Sequence, residues 1–331
     1  MDLDAYVAAR SRYWGRLEEL VGRRRLSGAE GDELLDLYQR VSTDLSVVRS
    51  ATPDPSVFAY LSMLLTRARV SMVGIRTNTW VDLLRFFTRT FPAALYRTRW
   101  WWVTTALGSL LVIALVAAWT LRHPEVYTSQ LTPAEIQAYV GTDFEHYYSE
   151  FPHHEFATLV WVNNAWVAAQ CIAFGVLGLP VLYVLFQNVQ GVGVVAALMV
   201  ANDRTSLFFG LILPHGLLEL TAVFVAAAVG LRLFWSWVEP GPRTRLQAFA
   251  AEGRTAVAIA IGLVFVLLVS GAIEGFVTPS ALPTWARIGI GVVAESVFLA
   301  YVFVVGRRAH HAGVTGDLES RDIGDEPLVV A

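Results

Sequence analysis

The stretch SLFFGLILPHGLLELTAVFVAAAVGLRLFWSW, residues 206–237, is apolar and long enough to cross a bilayer, yet it holds Pro214, His215, Gly216 and Glu219. One crossing takes about 20 mostly apolar residues. A histidine and a carboxylate four positions apart share one face of a helix. An ionisable group at bilayer depth costs roughly 2.5–3.5 kcal/mol on insertion scales, so that face must turn toward protein or an inner hollow rather than lipid. Proline suits the first turn of a helix, where its missing N–H costs nothing. The span is therefore expected to break at Pro214, with 207–213 as a half-helix. Such breaks persist at membrane depth only when buried in protein or lining a cavity.

The rest of the chain supplies the membrane around this segment. Of 331 residues, 55% are hydrophobic, and the mean hydropathy is +0.50, values that place the chain among membrane proteins. Apolar runs predict spans at about 101–121, 157–178, 180–201, 207–234, 255–276 and 286–306. The expected fold is all-α and polytopic, with six transmembrane helices. Arginine placement orients it. Arg97 and Arg99 precede the first span, whereas 122–156 carries one arginine against six acids. Arg232, Arg243, Arg245 and Arg254 flank the connection between spans four and five, and Arg307 and Arg308 follow span six. Six crossings then put every arginine cluster, and both termini, on the cytoplasmic side. Trp100–Trp102, Trp235 and Trp237 belong to the inner interface, Trp119 and Trp285 to the outer one. The opening MDLDAYVAARSRYWGRLEEL lacks the apolar core of a signal peptide, so none is expected. Cys171 is the single cysteine, which excludes an intramolecular disulfide.

Residues 1–98 are expected to form a cytoplasmic helical bundle with an interfacial helix, 99–306 the membrane domain and 307–331 a disordered, acidic tail. In the second helix Leu34, Tyr38, Val41, Leu45 and Val48 fall on one face; in the third, Phe58, Leu61, Leu65, Ala68 and Met72 do. Asp54 is the expected N-cap of the third helix, with Pro55 at its first position. Three amphipathic helices suit a small antiparallel bundle; a coiled-coil partner surface is the competing reading. A fourth helix, near 79–91, sets Trp80, Leu84, Phe87 and Phe91 against Asp82, Arg85 and Arg89, as a helix lying in the membrane interface would.

Polar residues recur at depth. Counted inward at ~1.5 Å per residue, Asn163 and Asn164 lie ~10 Å below the outer boundary, His215 ~12 Å and Glu219 ~18 Å, with Gln170 and Glu295 near that level. Glu274 falls shallower and Asn188 nearer the inner side. Either these residues line a pocket, or they bond helix to helix at about 0.6 kcal/mol apiece. Outside the spans, His146, His153 and His154 stand among Glu145, Glu150 and Glu155. Imidazole and carboxylate ligands suit metals, but the spacing matches no zinc signature, and a solvated, partly helical loop is expected.

Four blocks, VWVNNAWVAA (160–169), FQNVQGVGV (186–194), LILPHGLLEL (211–220) and GAIEGFVTP (271–279), together resemble the membrane domain of the stage II sporulation protein M family. Paired asparagines, an Asn before glycine, Pro-His-Gly-x-x-Glu and a Glu shortly before proline occur in the family's order. Here Asn188 is separated from Gly191 by two residues, where the family often has the glycine adjacent. The resemblance implies an intramembrane polar site of Asn163, Asn164, Asn188, His215, Gly216, Glu219 and Glu274. It also implies an integral subunit of a bacterial envelope-remodelling or membrane-protein complex in the plasma membrane. The implied partners are envelope proteins, an RDD-family membrane protein and a MoxR-type ATPase among them, and further copies of the chain.

Two other functions compete, a transporter or channel and an intramembrane hydrolase whose metal is held by His215, Glu219 and Glu274. Catalytic zinc usually takes at least two histidines, and only one lies deep here, so no metal, cofactor or catalytic residue is expected. No nucleotide loop with its lysine is present, since all 25 basic residues are arginines, and no nucleophile elbow or paired-cysteine motif occurs. The N-terminal arginines are interleaved with acids, which argues against nucleic-acid binding.

Overall fold

The computed structural model describes residues 3–23, 26–51, 54–72, 79–149 and 152–318. Among them there is no strand. The chain divides into two compact units, residues 1–82 and 83–331.

The first unit is built on α1 (Leu3–Gly22), α2 (Gly28–Ala51) and α3 (Pro55–Met72). Trp14, Leu17 and Leu20 of α1 meet Leu34, Val41 and Val48 of α2 and Leu61, Leu65 and Ala68 of α3 in one buried cluster. The faces expected from periodicity are the faces that pack, except that Phe58 is exposed and Leu64 takes a core place. Asp54 caps α3 as expected, its Oδ1 accepting from the Ser56 and Val57 amides at 2.8 and 3.2 Å. One buried carboxylate, Asp44, accepts from Trp14 Nε1 at 2.9 Å and Tyr6 Oη at 2.7 Å. An internal three-helix core answers the coiled-coil alternative.

The expected fourth helix begins as α4 (Thr79–Arg85) and continues through a π-helical turn, Phe86–Thr90, into α5 (Phe91–Arg97). Trp80 and Leu84 are exposed, as an interfacial face requires. Phe91, in contrast, is fully buried, and its ring presses on Gly262, where a Cβ would lie only 2.1 Å from Phe91 Cε2. Residues 83–98 therefore belong with the membrane unit, and the domain boundary drawn at 98 moves to 82. The aromatic face expected to lie in the membrane interface instead packs, at Phe87 and Phe91, among the spans.

Among the described residues, six helices are long and apolar enough to cross a membrane, over Arg99–Arg122, His153–Val176, Leu179–Ala201, Thr205–Val238, Arg245–Val277 and Thr284–His311. They comprise α6 (Arg99–Arg122), α10 (His153–Ala173), α11 (Leu179–Ala201), α12 (Thr205–Val238), α13 (Arg245–Ala272), and α14 (Thr284–Ala300) with α15 (Arg307–His311). Helix α12 is the axle, packed against the other five spans. Its run Ala222–Ala228 is wholly buried, and small residues let neighbouring backbones close in. At Gly230 a Cβ would stand 2.1 Å from the Cys171 carbonyl oxygen, so only glycine permits that approach. Leu107, Leu111 and Leu115 of α6 are exposed, which in hydrocarbon is the favourable state.

The expected break at Pro214 does not occur: α12 is one helix of 34 residues with the proline inside it. Neighbouring spans support the site. The carbonyls of Leu213 and Pro214 lie 2.6 and 2.4 Å from where a Gly291 side chain would start, so the backbone of span six packs directly on this turn. Prolines within membrane helices are accommodated by such neighbours.

The segment between spans one and two folds into α7 (Glu125–Thr128), α8 (Pro133–Ala138), a π turn and α9 (Phe144–His146). It is less solvated than expected: Ile136, Val140, Phe144 and Tyr148 form a core with Phe156, Met199 and Phe208 from spans two, three and four. The tail also departs from expectation up to residue 318. Arg254 holds Asp317 in a bidentate pair at 2.7 and 2.8 Å, and Gly316, at φ 78°, lies against Ala94. The expectation of disorder for 319–331 falls outside the described residues.

Candidate functional site

His215 and Glu219 project from one face of α12, as their spacing requires. Opposite them the end of α13 passes into a π-helical turn, Ile273–Val277. Such a turn inserts one residue into the helix and re-aims the side chains beyond it, and it recurs at functional sites. Here it carries Glu274, which is 4% exposed, toward His215. Glu274 Oε1 stands 3.7 Å from His215 Nε2, and one ligand-capable atom from each of His215, Glu219 and Glu274 lies within 4.8 Å of the others. Glu274 looked shallow when counted from the end of its span. The span ends do not share a plane, however: Thr278 is fully buried beside His215, and Thr284, which opens span six, touches Gly210.

Other elements hold the trio. Thr278 Oγ1 is 3.2 Å from His215 Nδ1, and Ser270 Oγ donates to the His215 carbonyl at 3.1 Å. Buried Asn164, on α10, lies beside the Glu219 carboxylate. Tyr148 lies above the group, its ring centroid 5.9 Å from that of His215. Burial, reinforced by Glu274, Tyr147 and Glu219, pushes its phenol pKa up, so Tyr148 stays a neutral donor. Within the trio, Glu219 Oε2 and Glu274 Oε2 are buried without a partner, as is Glu295 Oε2 elsewhere in the membrane unit. Arg287, near the head of span six, donates from Nη1 to the Thr278 carbonyl and from Nη2 to Thr284 Oγ1, while its buried Nε has no partner. Orphaned polar atoms in a protein interior call for a cause.

The remaining expected residues lie elsewhere. Asn163 is exposed, its amide reaching only Asn164 Oδ1 at 3.5 Å. Asn188 is half-buried midway along α11, on a stretch whose Leu185 and Val189 line a different cavity with Leu231. Gly216 turns to the other flank of α12, where it lines a separate apolar cavity of about 550 Å³ that ends at Thr221 and Glu295. There Thr221 Oγ1 donates to Glu295 Oε1 at 3.0 Å. Among the described residues, no group that includes the outer histidines is compact enough to hold a metal; Glu150 lies outside them.

Sequence reasoning missed Tyr148, Thr278 and Ser270, since a tyrosine in a loop and hydroxyls near a helix end carry no signal alone. It also missed Glu252, a buried carboxylate at the arginine-rich end. Glu252 accepts from Arg97 at 2.9 and 3.3 Å and from Arg232 at 2.8 and 3.1 Å.

The family model described as stage II sporulation protein M matches residues 103–279. That range contains Tyr148, Asn164, His215, Glu219, Glu274 and Thr278. A second model, described as a domain of unknown function (DUF8413), matches residues 4–74, the three helices of the first unit. No curated protein and no solved structure matches the chain.

Proposed function

Because the chain belongs to the stage II sporulation protein M family, we propose that it is an integral membrane subunit of a bacterial envelope-remodelling or membrane-protein complex. Its buried polar centre holds a ligand, a lipid headgroup or a group from a partner helix. The observation that carries this reading is the convergence of His215, Glu219 and Glu274 with two carboxylate oxygens left unbonded. Residues that only bond helix to helix would consume their own hydrogen-bonding capacity. The first unit, with its own core, serves as the docking module for partners, among which an RDD-family membrane protein and a MoxR-type ATPase are the first to examine. In this reading the protein sits in the plasma membrane with both ends cytoplasmic, which is the orientation that the arginine distribution favours.

The test is capture of partners from membranes of the native host by the tagged full chain. His215→Ala and Glu219→Ala are expected to reduce captured partner at least tenfold while the variants accumulate in the membrane normally. Unchanged capture together with an unchanged cellular phenotype would sink the role given to the polar centre.

A further inference from the structure

We propose that His215, Glu219 and Glu274 bind one divalent transition-metal ion, zinc being the reference case. This deepens the reading above, on which it rests, by naming the ligand of the centre. The sequence argued against a metal because only one histidine lies deep. The structure supplies two carboxylates instead, and imidazole with carboxylate oxygens is a donor set for zinc, manganese or iron rather than for calcium or magnesium.

Three features lead to the ion. The first is which nitrogen of His215 faces the carboxylates. Thr278 Oγ1 lies 3.4 Å from the Ile273 carbonyl, to which its hydroxyl donates, and 3.2 Å from His215 Nδ1. With its proton turned to Ile273, the Thr278 oxygen accepts from Nδ1–H. That tautomer leaves a lone pair on Nε2, the nitrogen 3.7 Å from Glu274 Oε1. Two lone-pair atoms facing one another across that gap attract only if something positive lies between them. Metal-bound histidines are oriented in this way, through a bond made by the other ring nitrogen.

The second feature is size. Ligands about 2.1 Å from a tetrahedral ion stand about 3.4 Å apart. The trio already falls within 4.8 Å, with one pair at 3.7 Å, so small rotations of two glutamate side chains close the site. Asn164 lies beside one of those carboxylates, and the ring of Tyr148 packs against that of His215. Three protein ligands leave a fourth position for water or a ligand group.

Charge is the third. Two carboxylates with no cationic partner are costly in a low-dielectric interior, whereas two carboxylates around one divalent ion are neutral as a unit. The ion also uses two oxygens that otherwise have no partner, Glu219 Oε2 and Glu274 Oε2.

The experiment is elemental analysis of the full chain, purified in detergent with a tag free of histidine and without chelator. It is then repeated after stripping and reloading with Zn²⁺, Mn²⁺, Fe²⁺ and Co²⁺. About one ion per chain is expected in the wild type, and at least tenfold less in the near-isosteric Glu219→Gln/Glu274→Gln double variant. Glu295→Gln, on α14 against the other flank of α12, should retain the full amount. Cobalt adds a check that needs no variant: a visible band of a four- or five-coordinate site should grow to one equivalent and be displaced by Zn²⁺. Less than a tenth of an ion per wild-type chain under every loading, or equal binding by the double variant, overturns the metal site. Partner capture separates the two readings. A metal-free wild type whose capture still depends on His215 leaves the ligand-binding role standing without the ion. A loaded wild type whose capture ignores His215 keeps the metal and removes that role.

Discussion

Helices α12 and α13 meet twice over buried charge, once near each end, and the two meetings are built on opposite principles. Toward the arginine-rich end Glu252 is shared by Arg97 and Arg232, both of its oxygens bonded, with Thr255 accepting a further bond from Arg97 at 2.7 Å. That cluster is a clamp: it ties the segment before span one to spans four and five, and its carboxylate is satisfied by protein alone. At the other end Glu219 and Glu274 face His215 with no guanidinium among the group and one orphan oxygen each. A charge held for stability is surrounded by its own partners, while a charge held for a ligand keeps capacity in reserve. The same two helices thus carry a structural and a functional use of buried ions, separated by about 20 Å from Glu219 to Arg232.

The comparison breaks first if the clamp is not a clamp. Removing one member of a buried ion pair leaves the others desolvated and unpaired, which costs about 3–5 kcal/mol. Glu252→Ala strands two guanidinium groups at once, so it is expected to lose that much. Thermal unfolding of the detergent-solubilised full chain measures it. A loss below about 1 kcal/mol, the range of an exposed pair, would mean that lipid headgroups or water already satisfy those arginines.

The part of this that was legible beforehand is the part a one-dimensional pattern can carry. His215, Glu219 and Glu274 stood out because an ionisable residue inside an apolar run is conspicuous without coordinates. The helical faces of the first unit were legible for the same reason, through their 3.6-residue period. Glu252 escaped because it lies between the polar residues of an apolar run taken to start at 255, whereas α13 begins at Arg245. Asn188 resembled a site residue, but burial on the right flank depends on helix rotation and tilt, which no spacing encodes. The π turn at Ile273–Val277 is equally silent in sequence, yet it decides where Glu274 points. Pro214 misled because a proline breaks a helix only when neighbours fail to cover the turn, and Gly291 does cover it.

A second test moves the outer group without touching its chemistry. A Cβ on Gly275, inside the π turn, would lie 2.6 Å from Ala157 Cβ and 2.7 Å from the His153 carbonyl oxygen. Backbone cannot yield there, so Gly275→Ala is expected to cost about 1–3 kcal/mol through overpacking and to push Glu274 off His215. Gly253, one residue from Glu252 on the same helix, has nothing within 4 Å of its missing Cβ. Gly253→Ala should be neutral or gain up to about 1 kcal/mol from helix propensity. Melting temperatures of the two variants, with metal content measured on each, check both halves. Equal behaviour would mean that the close approach of spans two and five does not position the trio.

The smallest expected effect discriminates most sharply between the two ends. Glu219→Gln/Glu274→Gln replaces two carboxylates by amides of nearly the same shape and removes the charge that nothing in the protein balances. Replacing buried ions by neutral groups of like volume is often neutral or stabilising, so unfolding is expected to change by less than about 1 kcal/mol or to shift upward. The measurement is made in chelator, since any ion bound to the native wild type would add its own stabilisation. In the same preparation Glu252→Ala should be severely weakened. If the double variant falls as far as Glu252→Ala does, Glu219 and Glu274 are also held by protein partners, and both ends of the bundle are clamps. If it does not, Glu219 and Glu274 persist at a cost that folding alone does not require, and the reason for keeping them has to be something they bind.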